Sequence, residues 1–260
     1  MSRANPPPEP ERASGEIDDY LEWQAERTRP LRRFLYRKAG LRGRRSVLDA
    51  GCGTGLITDE IASGTNGRVC GIDIDEAMVR GASAARVGIE FTRADVRSLP
   101  FEDARFDLVV SHFLLMWVME PGRALAEMAR VLEPGGVVLA CAEPDYGGRI
   151  EYPENPLFSG AVAEALAAGG ADPYLGRRLG ELFRAAGLKA ETGVSATLLE
   201  GGELARGFAV QRAVCGRELE AVLDAAQVQA ALEIEGSQAQ AGKMVMVPLF
   251  WALGRKEDRS

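Results

Sequence analysis

One short stretch combines glycines with an acid: Val47-Leu-Asp-Ala-Gly-Cys-Gly-Thr-Gly55. An apolar run there enters a turn built from Gly51, Cys52, Gly53 and Gly55. Glycines take positive φ angles and let a backbone approach a ligand closely, so a nucleotide-like group fits against such a turn. Asp49 stands just before it. A carboxylate in that place repels a pyrophosphate and attracts an ammonium. A dinucleotide-binding turn also wants a third glycine in the spacing Gly-x-Gly-x-x-Gly, and here that position holds Leu56.

Two more acids end the next two apolar runs. Gly71-Ile-Asp73 closes the second, where a carboxylate can accept both hydroxyls of a ribose. Ile74 follows it. Asp95, in Arg93-Ala-Asp-Val-Arg-Ser-Leu-Pro-Phe101, can accept from an adenine amino group while Val96 donates its backbone N–H to the ring. An ammonium, a ribose, an adenine and no phosphate together describe S-adenosylmethionine. The expected cofactor contacts are Asp49, Gly51, Cys52, Gly53, Gly55, Asp73, Ile74, Asp95, Val96 and Ser111. Asp75 reads instead as the N-cap of a following helix.

Ser111 and His112 end a fourth apolar run. His112 is the chain's one histidine. It is a candidate general base for a hydroxyl or amine substrate; the alternative is a structural histidine. Phe113–Val118 reads as core or pocket wall. Glu143, Asp145 and Tyr146 are candidate substrate contacts, set against a plain Pro-Asp turn. Arg149, Arg177 and Arg178 are candidates to grip an anionic group, or solvated surface arginines. Tyr20, Trp23 and Gln24 are candidates to close over the cofactor, with core packing the alternative for Trp23.

Positioning these residues takes alternating strands and helices. Strands are expected at Ser46–Ala50, Arg68–Ile72, Ile89–Arg93, Phe106–Ser111 and Val137–Ala142. Helices are expected at Thr54–Ser63, from Asp75 to about Ala85, and at Gly122–Leu132. That alternation predicts a parallel sheet with right-handed crossovers. Upstream, Ile17 to Ala39 looks helical, with a break or restart at Pro30. Met1–Ser14, rich in proline, is expected to be a disordered tail and 15–45 a helical cap. The glycine- and proline-rich stretch around 146–172 is expected as an insertion. Leu175 to Ala186 reads as a helix, Lys189–Leu199 as a strand, and Lys243–Arg255 as a β-rich end with two helices before it.

The chain has 260 residues, 46% hydrophobic and 27% charged, the balance of a globular α/β domain with embellishments. Its formal charge of -7 argues against nucleic acid as a partner. Cys52, Cys70, Cys141 and Cys215 form no Cys-x-x-Cys pair, and with a single histidine no zinc set is expected. Free thiols fit a reducing cytoplasm. The polar, proline-rich start leads to the expectation of no secretory leader, and no apolar run is long enough to span a bilayer.

Taken together, the segments from Ser46 to Glu143 resemble the class I S-adenosylmethionine-dependent methyltransferases, in particular the small-molecule branch that includes the quinone-biosynthesis C-methyltransferases. Val47–Gly55 resembles the family's first motif, Gly71–Asp73 its ribose-binding acid and Ala94–Phe101 its adenine-contacting loop. Phe106–Ser111 and Ala129–Gly136 resemble the fourth strand and the turn before the fifth. The resemblance implies a Rossmann-like, doubly wound, seven-stranded sheet over 46–260, mostly parallel, with Lys243–Arg255 as an antiparallel last strand. It also implies methyl transfer to an O, N or C nucleophile of a small molecule. An RNA or protein methyltransferase and a non-catalytic cofactor-binding module are the alternatives.

Overall fold

The computed structural model describes Ser14–Glu257. Of the expected tail, only Ser14 lies among the described residues. In chain order the elements begin with α1 (Ser14–Ala39), β1 (Ser46–Ala50), α2 (Leu56–Gly64), β2 (Arg68–Asp73), α3 (Glu76–Ala85), β3 (Glu90–Arg93) and β4 (Phe106–Ser111). Next come α4 (Pro121–Val131), β5 (Leu132–Pro144), β6 (Ile150–Tyr152), α5 (Pro156–Ala168), α6 (Leu179–Ala185), β7 (Leu188–Ser195) and β8 (Leu199–Glu200). The chain closes with α7 (Gly201–Leu219), α8 (Ala225–Gln240), β9 (Met244–Met246) and β10 (Leu249–Lys256).

Two compact units share these elements. The larger takes Ala25–Gly148, Pro173–Thr197 and the chain from Val247 on; the smaller takes the chain up to Gln24, Arg149–Asp172 and Leu198–Met246.

The larger unit is a seven-stranded sheet in the order β3-β2-β1-β4-β5-β10-β7. All six residues of β4 are buried, as a parallel strand covered on both faces requires. Leu108, Val109 and Val110 each gain about 1.5–3 kcal/mol from that burial. Against the sheet, α4 starts at Pro121 and buries Ala124, Leu125, Met128, Ala129 and Val131, one apolar face at helical spacing. The strand order reverses between β1 and β4, whose register pairs Ala50 with Ser111. Ligands of open α/β sheets bind at the carboxyl ends of strands beside such a reversal. The first five strands are parallel and β10 is antiparallel to both β5 and β7.

Three expectations are corrected. Lys243–Arg255 is not one strand: β9 and β10 lie in different sheets. Pro248 divides them, because it has no N–H for a ladder and a fixed φ; its carbonyl accepts from the Asp145 N–H at 3.0 Å. Likewise Lys189–Leu199 splits, with β7 ending at Ser195 and Leu199 starting β8. Pro30 does not break α1, which runs through it. One turn earlier, the Ala25 carbonyl is taken by the Arg32 guanidinium at 2.8 Å and the Thr28 hydroxyl at 3.5 Å, so side chains satisfy backbone acceptors there.

The smaller unit has an antiparallel three-stranded sheet, β6-β9-β8, with α5, α7 and α8. Its core joins Phe158, Phe208, Leu199 and Val245, with Trp23 packed against them. A Cβ at Gly207 would collide with the half-buried Trp23 ring, which packs closely against α7. Here α8 opens with a capping box of Asp224 and Gln227. Among the described residues no helix is long and apolar enough to cross a membrane.

Candidate functional site

The turn after β1 has the conformation its glycines suggest. Gly51, Gly53 and Gly55 all have positive φ, at 76°, 50° and 78°. At Gly51 the space is also closed: an added Cβ would stand 2.7 Å from Leu114 Cδ1. At Gly53 nothing lies within 4 Å on that side. The Gly51 and Cys52 N–H groups both donate to the Ile72 carbonyl, at 2.8 and 2.9 Å, which ties the turn to the end of β2.

Asp49 ends up under this turn, 1% exposed. Its Oδ2 accepts from the Thr58 hydroxyl at 2.6 Å. Burial pushes its carboxyl up to about 7, against the lowering effect of that hydrogen bond. Oδ1 has no hydrogen-bond partner among the described residues. A carboxylate held like this is raised in energy without a cation beside it, and an ammonium would relieve the penalty.

Asp73 lies at the end of β2, partly exposed. Oδ2 accepts from the Gly53 N–H at 2.9 Å and Oδ1 from the Asp75 N–H at 3.0 Å. Each oxygen keeps a second lone pair for a hydroxyl. Asp75 caps α3 through the Ala77 N–H, as expected. Ile74, between them, is 59% exposed, an apolar side chain left at the strand ends. Asp95, after β3, is forked on Arg97, with Nε at 3.0 Å from Oδ1 and Nη2 at 2.7 Å from Oδ2. The Arg97 hydrogen bonds hold its carboxyl below the usual range. The side chain of Val96 is buried and its N–H has no partner among the described residues. Ser111 Oγ, at the end of β4, is buried without a partner. Cys52 is buried, and burial pushes its thiol up, out of nucleophilic range.

The substrate-side candidates separate. Glu143 is fully buried, and its carboxylate accepts from the N–H groups of Leu114, Leu115 and Met116 at 2.9–3.1 Å. It organises the 3-10 turn Leu115–Trp117, and burial raises its carboxyl to about 7. Asp145 makes the plain turn: Oδ1 accepts from the Gly147 N–H at 3.0 Å, and both oxygens pair with Arg177. Arg178 is exposed. Arg149, in the smaller unit, pairs with Glu151 at 2.8 Å. Tyr20 accepts from Gln24 at 3.3 Å. His112 Nε2 lies 2.9 Å from Thr28 Oγ1 and 3.4 Å from Arg32 Nη1.

Thr58, Thr28, Arg32 and Glu60 were not singled out from the sequence. The signal for Arg32 was there: an arginine within the run Leu31, Leu35, Tyr36 and Ala39, at a position that faces the core. A charge on an apolar helix face needs a partner.

Residues 48–140 match the family model described as a methyltransferase domain. The chain is 37% identical over 105 residues to the malonyl-[acyl-carrier protein] O-methyltransferase of Pseudescherichia vulneris, covering 40% of this chain and 41% of that one. It is 36% identical over 138 residues to the ubiquinone/menaquinone biosynthesis C-methyltransferase UbiE of Hahella chejuensis, covering 50% and 53%. It thus spans about half the length of the curated relatives it matches. In structure it is similar to the YcgJ protein of Bacillus subtilis, with a TM-score of 0.59, 19% identity, and 87% and 97% of the two chains covered. Residues 48–140 are thus similar to a methyltransferase domain, and the fold is shared with that solved structure.

Proposed function

We propose that this chain transfers a methyl group from S-adenosylmethionine to a small-molecule acceptor. The observation that carries the reading is Asp49, a buried carboxylate at the end of β1 with one oxygen on Thr58 and no hydrogen-bond partner among the described residues for the other. Three features then fit one ligand. Asp49 suits the ammonium, Asp73 the ribose hydroxyls, and Val96 with Asp95 and Ile74 the adenine. The residues of the turn (Gly51, Cys52, Gly53 and Gly55) bring the backbone close, and Ser111 Oγ supplies a further polar contact.

When bound, the cofactor supplies an already activated methyl group on a sulfonium, so the protein's part is chiefly positioning. Asp49 holds the charged end, Asp73 fixes the middle, and the β4 end meets the acceptor side. The relatives named for malonyl-carrier and quinone methylation act on different acceptors, so the acceptor is set by residues outside the matched segment.

Calorimetry with S-adenosylhomocysteine tests the cofactor reading. Binding by the full chain, weakened in Asp73→Ala, is expected. No binding, or unchanged binding in that variant, overturns it.

A further inference from the structure

The chain carries a net negative charge, yet four arginines gather at one end of its main sheet. A cleft of about 380 Å³ lies where β1 and β2 begin, lined by Arg42, Arg44, Arg45 and Arg68 together with Asn66 and Gly67. Ser46 pairs with Arg68 in the register of the two strands, so the cleft stands at the opposite strand end from Asp49 and Asp73. Its volume is that of a small-molecule site, roughly 300–1,000 Å³. An adjoining hollow of about 360 Å³ shares Arg42 and Asn66 and adds Ser63 and Thr65.

The two loops that form the cleft are stitched together. The Thr65 hydroxyl donates to the Arg44 carbonyl at 2.7 Å and accepts from the Gly67 N–H at 3.0 Å. The Arg68 N–H donates to the Arg45 carbonyl at 2.8 Å. A Cβ at Gly67 would run into the Arg44 carbonyl oxygen, so the loops touch backbone to backbone.

The four cations are not used alike. Arg44 serves the fold: Nε and Nη2 donate to the Ala39 carbonyl at 3.0 and 2.7 Å, and Nη1 to the Asp107 carbonyl at 2.8 Å. Those acceptors are neutral. Burial lowers the Arg44 pKa; Asp107 opposes that shift and Arg255 adds to it. Arg45 pairs with Glu133 at 2.9 Å and lies 3.7 Å from Asp107. The Asp107 carboxylate is itself taken up by the N–H groups of Arg45 and Ser46, at 2.8 and 3.2 Å. Arg42 and Arg68 are exposed, with no side-chain hydrogen bond or ion pair among the described residues.

We propose that this cleft is an anion site for a diphosphate group, separate from the cofactor turn. Guanidiniums present paired N–H donors that match phosphate oxygens. Two unpaired forks, Arg42 and Arg68, suit a ligand with at least two negative charges and several oxygens, more than one carboxylate offers. A long nucleic acid fits less well, because the chain's charge of -7 repels a polyanion outside the cleft. The adjoining hollow leaves room for an organic part, so the shared chemistry is a diphosphate, inorganic or carried on a nucleoside. The inference rests on this cleft and not on the methyl-transfer reading.

Calorimetry of the full chain with inorganic pyrophosphate, in metal-free buffer at constant ionic strength, tests it. Saturable one-to-one binding is expected, about tenfold tighter than for inorganic phosphate. The double variant Arg42→Gln, Arg68→Gln removes both unpaired cations and no internal bond. It should keep the wild-type thermal midpoint and bind pyrophosphate about a hundredfold more weakly. Saturating S-adenosylhomocysteine should leave pyrophosphate binding unchanged. Repeated with ADP under that saturation, tighter binding than pyrophosphate assigns a nucleoside-borne group, and equal or weaker binding an inorganic one. No saturable heat, the same affinity in the double variant, or displacement of pyrophosphate by S-adenosylhomocysteine overturns the proposal. So does binding confined to a single-stranded oligonucleotide or to anionic phospholipid vesicles. Failure of S-adenosylhomocysteine to bind would count against the methyl-transfer reading and leave the pyrophosphate comparison of wild type and variant intact.

Discussion

Two buried charges, Lys243 in the smaller unit and Asp49 in the larger, are held in opposite ways. In the smaller one, Lys243 is completely buried between Glu151 and Glu235, at 2.9 and 2.8 Å, with Gln238 accepting at 3.1 Å. Arg149 closes the group on Glu151. These charges answer one another. In the larger unit, Asp49 is as deeply buried and has a single hydroxyl for company. In the first arrangement each charge has an opposite partner in place, although Arg149 Nε and Glu151 Oε1 are buried without a hydrogen bond; the second improves when a cation arrives. A buried charge thus points to a binding function where it lacks an opposite partner, and to architecture where it has one.

The largest effect should come from breaking the charge-paired cluster. Lys243→Met leaves Glu151 and Glu235 facing each other across a dry site, and removing one partner of a buried pair costs about 3–5 kcal/mol. Urea unfolding should report that loss. A triple variant, Lys243→Met with Glu151→Gln and Glu235→Gln, should recover much of it. Equal losses in the single and triple variants would mean that packing, not charge balance, holds this unit.

A smaller effect is expected in the larger unit, and on binding. Asp73→Ala removes a carboxylate from two ribose hydroxyls and from the Gly53 N–H. Hydrogen bonds to a charged group are worth roughly 1.5–3 kcal/mol, so S-adenosylhomocysteine should bind about ten- to a hundredfold more weakly. Denaturant midpoints should move little by comparison.

The difference between the units also explains what could be read from sequence. The sheet, the Asp75 cap and the Gly51–Gly55 turn were legible because each is a local pattern: apolar runs, a capping acid, glycines where φ is positive. Candidate contacts at Asp49, Asp73 and Asp95 followed, because a strand end fixes where its next residue lies. Contacts between distant segments were not legible. Nothing local tells Thr28 that it will meet His112, 84 positions away, or Glu143 that three N–H groups after β4 will converge on it. The division of Lys243–Arg255 between two sheets is of the same kind. Pro248 marked a break, but which sheet each half joins depends on Ile150–Tyr152 and Leu199–Glu200, far away in the chain.

Asp49 predicts a pH dependence with a definite sign. Its carboxyl is raised to about 7 in the folded protein, above its unfolded value of 3.8. Its contribution to stability is therefore fully present below about pH 4 and lost as pH rises through about 7. Binding runs the other way, because the ligand's ammonium needs the ionised form. Affinity for S-adenosylhomocysteine should fall about tenfold for each pH unit below the carboxyl's pKa, with proton release on binding near neutrality. Asp49→Asn should flatten that profile, bind weakly at every pH, and leave the free protein more stable than wild type above pH 7. A variant that binds weakly but gains no stability would show that Thr58 alone already satisfies the carboxylate.

The smallest effect tests whether the strand-end acids are of two kinds. Asp75 is two residues from Asp73, yet its carboxylate accepts from Ala77 N–H at 2.7 Å and starts α3. Replacing such a cap with alanine costs about 1 kcal/mol of stability. Asp75→Ala should therefore lower the denaturant midpoint slightly and leave S-adenosylhomocysteine affinity nearly unchanged, the reverse of Asp73→Ala. The pair is a sharp control, because both acids touch the same turn: the Asp75 N–H donates to Asp73 Oδ1. A large affinity loss in Asp75→Ala would mean that the start of α3 sets the ribose acid's position, and that architecture and binding are not separable at this strand end.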